Sequence, residues 1–226
     1  MKNPMITLAD KSQIELNLST PELVSHFSNG VNYTGAILEQ FNNREYYKQF
    51  VDESDKVMLD LGANVGMFAI YATPYCERIV CVEPTPSHFK LLNDLTANFK
   101  NIETMQCAVS PVNGFVTFYT EPNNTTMNSL VPRSGTPIMV EGLTLESIMK
   151  RAKIDKVDFI KMDIEGSEDL VLNDECLSFI YANVPKILIE FHNNVVQQVS
   201  KHAELFRANG YEVDAFNWDA IMCKRK

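Results

Sequence analysis

Val57-Met58-Leu59-Asp60-Leu61-Gly62-Ala63-Asn64-Val65-Gly66 is the stretch that decides the fold. Its first five residues are almost wholly apolar, as in a strand buried on both faces of a parallel sheet. A glycine-bearing turn and the opening of a helix follow. Glycine there lets the backbone approach a bound molecule closely, and the unpaired N–H groups of the helix start point at it. A dinucleotide site needs a third glycine, in the pattern G-x-G-x-x-G, where a pyrophosphate rests on the helix. Here the run is G-A-N-V-G, and Asp60 beside the turn repels a pyrophosphate while suiting a cationic or amine-bearing ligand.

Outward from this stretch, short apolar runs alternate with helical stretches, the signature of strand and helix units in a mostly parallel sheet. The runs cover residues 56–62, 78–84, 102–109, 157–164 and 185–192. Helical periodicity covers 65–72, then 87–99 behind Thr85-Pro86, then 195–208 up to Asn209-Gly210, a pair suited to a left-handed cap. Runs 211–217 and 220–225, separated by Trp218-Asp219, predict a terminal antiparallel hairpin, and 115–120 with 138–144 predict an inserted pair of strands. The polar tract from Glu121 to Ser134 reads as a surface excursion. One α/β domain over 56–226 results, helices on both faces, with an insertion at about 111–144. Before it, Ile37, Leu38, Phe41, Tyr47, Phe50 and Val51 recur at helical spacing behind Thr34 and predict a helical lid or brace over residues 1–55.

The 226 residues carry 20 Lys+Arg against 29 Asp+Glu, a net charge of −9, which argues against coating a phosphate backbone. No apolar run reaches the roughly 18 residues of a membrane span, and the first residues lack the apolar core of a secretory signal. The expected location is the cytoplasm. Cys76, Cys81, Cys107, Cys176 and Cys223 are odd in number and form no C-x-x-C pair, so they read as buried reduced thiols.

Glu83 ends the second strand. A carboxylate there accepts two hydrogen bonds from a ribose diol, the geometry a doubly wound sheet offers beside its first turn. Asp60 and Glu83 together call for an adenosine with free ribose hydroxyls, a short amino-acid tail and no phosphates. S-adenosylmethionine is that molecule.

The chain also resembles the FkbM family of S-adenosylmethionine-dependent methyltransferases. The resemblance is carried by D-L-G-A-N-V-G (60–66), V-E-P (82–84), A-V-S (108–110), L-T-L-E-S-I (143–148), D-F-I-K-M-D-I-E-G-S-E (158–168) and I-L-I-E-F-H (187–192). It implies a class I methyltransferase Rossmann-like fold with a seven-stranded, mostly parallel sheet, and O-methylation of a hydroxyl on a sugar or other secondary metabolite. It implies that Asp60, Gly62, Ala63, Asn64 and Gly66 surround the methionine end, Glu83 the ribose, and the backbone near Cys107-Ala108 the adenine edge, with Pro84 and Thr85 shaping the adenosine wall. Asp163 is counted with both the cofactor and the reacting groups.

Asp163, Glu165 and His192 fall at the carboxyl ends of the fourth and fifth runs, where open α/β sheets place reacting groups. A sulfonium methyl is already activated, so catalysis is mainly alignment and exclusion of water. A hydroxyl acceptor also needs its proton removed, and His192, with a near-neutral reference pKa, is the best base on chemistry alone. Against these roles, Asp163 reads equally as a helix cap, Glu165 and Glu168 as solvated first-turn acids, and His192 as a satisfied strand-end histidine. Asp163, Glu165, Glu190 and His192 could instead hold a divalent ion. Alternation puts only Glu190 and His192 on one face, so no metal ligand is assigned. Tyr33, Tyr46, Tyr47 and Phe50 suit either an acceptor pocket or core packing, and Asn128 and Ser129 either a ligand contact or a plain loop.

Rival functions are a non-catalytic nucleoside-binding module, a methyltransferase acting on RNA or an amine, and an NAD-dependent oxidoreductase. Ribose methylation relies on lysines at strand tips, where this chain has His192, and amino-group enzymes carry an N-P-P-Y-like turn where this chain has M-D-I-E-G. The expected partner is a small-molecule or glycan substrate, with no nucleic acid and no membrane. The oligomeric state is open, a homodimer included.

Overall fold

The structure, a computed structural model, describes residues 4–28, 50–120, 128–132, 135–216 and 218–226. In chain order the elements are β1 (Met5–Thr7), β2 (Gln13–Glu15), α1 (Pro21–Ser28), β3 (Val57–Leu61), α2 (Met67–Ala72), β4 (Arg78–Val82), α3 (Pro86–Thr96), β5 (Ile102–Met105), β6 (Ala108–Val109) and β7 (Gly114–Thr120). Then come β8 (Thr136–Leu143), α4 (Leu145–Arg151), β9 (Phe159–Met162), α5 (Glu168–Val171), α6 (Asp174–Asn183), β10 (Lys186–Glu190), α7 (Val195–Ala208), β11 (Tyr211–Phe216) and β12 (Ala220–Arg225).

Seven strands form one sheet in the order β11-β12-β10-β9-β3-β4-β5. The five expected core strands pair in parallel, and β12 runs antiparallel to both β10 and β11. The chain leaves β3 toward β4 and β5, then returns to the other side of β3 as β9. That reversal opens a crevice beyond the carboxyl ends of β3, β4 and β9.

Alternation along each strand sends side chains to two separate cores. Leu59, Leu61, Val80, Val82, Ile160, Met162, Ile187 and Ile189 pack with α4, α6 and α7. Met58, Ile79, Cys81, Phe159 and Leu188 pack with α2 and α3. The second core also takes Ile6, Leu16 and Leu23 from the N-terminal region. No helix among the described residues is long and apolar enough to cross a membrane.

Two expectations change and one lies largely outside the described residues. The N-terminal region opens with a β-hairpin, β1 against β2, before its helix α1, because Met5-Ile6-Thr7 and Gln13-Ile14-Glu15 flank a turn in which Lys11 takes φ 70°. The helix expected from Thr34 through Val51 lies largely outside the described residues; Phe50 itself is fully buried in the second core. The run 102–109 splits at Gln106: β5 joins the main sheet, and β6 turns away to pair in parallel with β8. The inserted strands β7 and β8 pair antiparallel, as expected. Helices α4 and α6 were not read, although their caps were present: Thr144 accepts from the Ser147 N–H and Asn173 from the Cys176 N–H.

Gly62 has φ +79°, and a Cβ built there would lie 1.8 Å from the carbonyl oxygen of Asp163. Gly210 has φ +86° with nothing within 4 Å of such a Cβ. Gly210→Ala is therefore expected to cost about 1 kcal/mol for the left-handed backbone alone, and Gly62→Ala about 3 kcal/mol or more as two strand tips are forced apart. Urea unfolding of the pair measures this; equal losses would remove the close approach as the cause.

Candidate active site

The crevice is a cleft of about 1010 Å³, counting space open to solvent. Its floor is the turn after β3. The Gly62 and Ala63 N–H groups both donate to the Val82 carbonyl, at 2.9 and 3.0 Å, which ties that turn to the tip of β4. Asn64 takes φ 51°, and its N–H donates to Glu83 Oε2 at 3.0 Å. The Thr85 N–H donates to Oε1 at 2.9 Å. Glu83, 5% exposed, is thereby fixed at the cleft wall, and each carboxylate oxygen keeps a second lone pair for a ligand.

Across from Glu83 the inserted sheet closes the cleft with Phe118, Asn128 and Leu130. Asn128 donates to Thr85 Oγ1 at 3.1 Å, and the Leu130 N–H donates to Ser167 Oγ at 3.0 Å. The described part of the polar tract, 128–132, is thus built into the wall, where the sequence suggested a surface excursion. Its exact partners, Thr85 and Ser167, are remote in sequence.

A buried ammonium underlies the reacting end. Asp60 and Lys161 stand opposite one another in the β3–β9 register, and Lys161 Nζ lies 3.6 Å from Asp60 Oδ1 and donates to Asp163 Oδ2 at 3.0 Å. Asp60 is 0% exposed, and burial raises its pKa against the pull of Lys161. Lys161 also sits 5.9 Å from the centroid of the Phe68 ring.

Beyond this pair, four carboxylates surround one imidazole. His192 Nε2 lies 3.6 Å from Asp163 Oδ1, 3.6 Å from Glu165 Oε2 and 3.9 Å from Glu190 Oε1. His192 Nδ1 is 3.2 Å from Glu168 Oε1, and Glu168 is 1% exposed, held by the Ile164 and Gly166 N–H groups. Burial opposes charging His192, but the Glu168 hydrogen bond and then Asp163 and Glu165 push its pKa to about 10. Burial also opposes ionisation of Asp163, yet Lys161 and His192 hold its pKa below the usual carboxylate value. Burial and Asp163 push Glu165 up to about 8, and Asp163 followed by burial pushes Glu190 up to about 7.

Of the residues expected at the site, Gly62, Ala63, Asn64, Glu83, Pro84, Ala108, Asp163 and Glu165 line the cleft. Asp60, Gly66, Cys107 and His192 are not among the residues that line it. Asp60 faces Lys161, Gly66 packs toward Leu92 and Thr96, and Cys107 belongs to the first core. His192 stands against Asp163 and Glu165. The carboxylates around it raise its pKa to about 10, which favours the charged ring over the neutral base that the sequence suggested. Glu168 is no solvated first-turn acid but the anchor of that ring, and Asp163 caps no helix but pairs with Lys161. Lys161 was missed, although its two-residue spacing from Asp163 placed both on one face of a strand. Asp163, Glu165 and His192 each offer one atom within 4.8 Å of the others, a set able to hold a metal ion.

Removing the ammonium while keeping Asp60 leaves a buried, uncompensated carboxylate. Lys161→Met is expected to cost about 3–5 kcal/mol, and Asp60→Asn in the same chain to recover a large part of it. A double-mutant cycle in urea measures the coupling; strictly additive losses would separate the two residues.

The family described as Methyltransferase FkbM domain matches residues 60–213, more than half of the chain. The chain is similar to AMB antimetabolite synthetase AmbE of Pseudomonas aeruginosa, 21% identical over 264 residues, covering 95% of this chain but only 12% of that protein. Among solved structures it is similar to the fibrillarin pre-rRNA processing protein of Methanococcus jannaschii, at 12% identity and a TM-score of 0.49, covering 99% of this chain and 82% of that one. It is also similar to TrmK of M. capricolum in complex with S-adenosyl-homocysteine, at 12% identity and a TM-score of 0.45, covering 80% of this chain and 64% of that one. The family match spans the motif run from Asp60 to Val213, including the strand tips that frame the cleft, and on it the chain belongs to the FkbM methyltransferase family.

Proposed function

We propose that this enzyme methylates a hydroxyl oxygen of a small molecule, a sugar or glycan or another secondary metabolite. The observation that carries the reading is the placing of Asp163 and Glu165 on the same cleft as Glu83, with the turn 62–64 between them. One end of the cleft offers a rigid acceptor for a ribose diol, and the other offers carboxylates for a hydroxyl donor. When bound, S-adenosylmethionine supplies an electrophilic methyl group.

The residues present suit that cofactor. Lys161, the cation lining the cleft, is already engaged by Asp60 and Asp163, so little positive charge is left for a phosphate. Glu83 and the glycine turn provide for an uncharged ribose and close backbone approach. Phe68, Phe118 and Leu130 contribute apolar wall that excludes water from the reacting end. Asp163 and Glu165 accept the hydrogen bond of the acceptor hydroxyl, the arrangement from which a carboxylate removes a proton as the new bond forms. The net charge of −9 and this carboxylate-rich end both disfavour a nucleic-acid acceptor, whose phosphates they repel.

The hairpin and helix before residue 29 share a core with α2 and support a bracing role for residues 1–55 beside the domain 56–226. The insertion at about 111–144 contributes Phe118, Asn128 and Leu130 to the cleft wall. The five free cysteines accord with a reducing, cytoplasmic setting.

S-adenosylmethionine at a hundredfold excess over its dissociation constant should stabilise the fold by about 2.7 kcal/mol, with no shift from NAD. Glu83→Ala is expected to weaken cofactor binding about tenfold or more, read by calorimetry. Asp163→Asn should chiefly lower turnover, by about 10²-fold or more, read as S-adenosylhomocysteine released across a panel of sugar and polyketide hydroxyls. Release with amine or RNA acceptors alone would overturn the hydroxyl reading, and no release with any acceptor would leave a binding module.

A further inference from the structure

We propose that Asp163, Glu165 and His192 bind a divalent cation of the Mn²⁺ and Mg²⁺ class at the reacting end of the cleft. The ligand set is Asp163 Oδ1, a Glu165 carboxylate oxygen and His192 Nε2, within 4.8 Å of one another. The two contacts from Nε2, 3.6 Å each, are too long for hydrogen bonds. They match the separation of about 3.0–3.6 Å between neighbouring ligands that share one ion at roughly 2.1 Å.

Two of the three ligands are held by a partner on their outer side, which directs the other atom at the ion. Lys161 takes Asp163 Oδ2 at 3.0 Å, while Oδ1 is sealed from solvent and has no hydrogen-bond partner among the described residues. Glu168 holds His192 Nδ1 at 3.2 Å, directing Nε2 at the carboxylates. Glu168 is itself fixed by the Ile164 and Gly166 N–H groups. A carboxylate behind a histidine, setting its ring orientation, is the outer shell that metal-bound imidazoles carry. One imidazole with two carboxylates favours a hard or borderline divalent ion over a thiophilic one, and no cysteine lines the cleft among the described residues.

The bound ion has a function that rests on the hydroxyl reading above. Asp163 and Glu165 face the cleft, so an acceptor hydroxyl can complete the coordination. Coordination lowers its pKa, and the proton leaves to water at the open side of the cleft, with the two carboxylates acting as ligands in place of base. The ion also answers the crowding of Asp163, Glu165, Glu168 and Glu190 around a single imidazole.

The test uses the full chain, stripped with chelator and titrated with MnCl₂. Loss of the free Mn²⁺ electron-paramagnetic signal and calorimetry should both report one ion per chain. Glu165→Gln and His192→Ala are each expected to weaken binding at least tenfold, and Glu168→Gln about tenfold through the ring it orients. Retained binding of S-adenosylmethionine shows that each variant is folded, and should one fail that control the others still decide. No bound Mn²⁺, or unchanged affinity in Glu165→Gln and His192→Ala, would overturn the proposal and leave a self-neutralising ion-pair network. The two readings fail separately. Hydroxyl methylation that survives chelator removes the ion's role but keeps the acceptor. One bound ion in an enzyme that methylates only amines keeps the site and removes the acceptor.

Discussion

The Lys161 ammonium between Asp60 and Asp163 is the interaction on which the site depends. Burying an isolated carboxylate such as Asp60 in the sheet is prohibitive, and pairing makes it tolerable without making it strongly favourable. The pairing brings geometry as well as charge. Asp60 belongs to the strand that feeds the cofactor turn, and Asp163 to the tip of β9 at the reacting end. One ammonium, hydrogen-bonded to Asp163 at 3.0 Å and ion-paired with Asp60 at 3.6 Å, links the two halves of the cleft. The close approach of Gly62 to the Asp163 carbonyl links them a second time from the backbone, since no side chain fits between them.

Two kinds of carboxylate then divide the cleft. Glu83 is satisfied by backbone N–H groups from the turns on either side of it, so its position is inherited from the fold. Asp163, Glu165 and Glu190 are crowded instead, and their mutual repulsion is eased by Lys161 and His192. A site that keeps several like charges within 4 Å of one ring spends stability, and enzymes tolerate that where the charges serve chemistry. The Ser167 hydroxyl ties this end to the inserted wall through Ser129 and the Leu130 N–H.

The sheet was legible because its signal is local: β3, β4, β9 and β10 are apolar runs too short for helices, and 195–208 repeats at helical spacing to the residue. The turn 62–66 and Glu83 were legible because glycine and a strand-tip carboxylate have few other uses at that spacing. What stayed hidden depends on contacts distant in sequence. The N-terminal hairpin has strands of three residues, too short to show alternation. Asp60 looked like a ligand for the cofactor because its partner Lys161 lies a hundred residues on. Cys107 and Gly66 sit next to cleft residues in sequence, yet the fold turns them into the core. Glu168 looked like a surface acid because nothing local announces that the chain folds back to cover it.

His192 shows why a residue's reference chemistry is a poor guide once its neighbours are fixed. Free in water its ring titrates near neutrality, which recommends it as a base. Inside this cluster the hydrogen bond to Glu168 and two more carboxylates favour the proton, raising the pKa of the ring to about 10 and making it a poorer base at neutral pH. A competing cation can take the place of that proton, because the same carboxylates that stabilise a proton on Nε2 stabilise a cation placed between them and that nitrogen. The arrangement that weakens His192 as a base is thus the one that suits it to the proposed ion, since a proton and a metal ion compete for the same nitrogen.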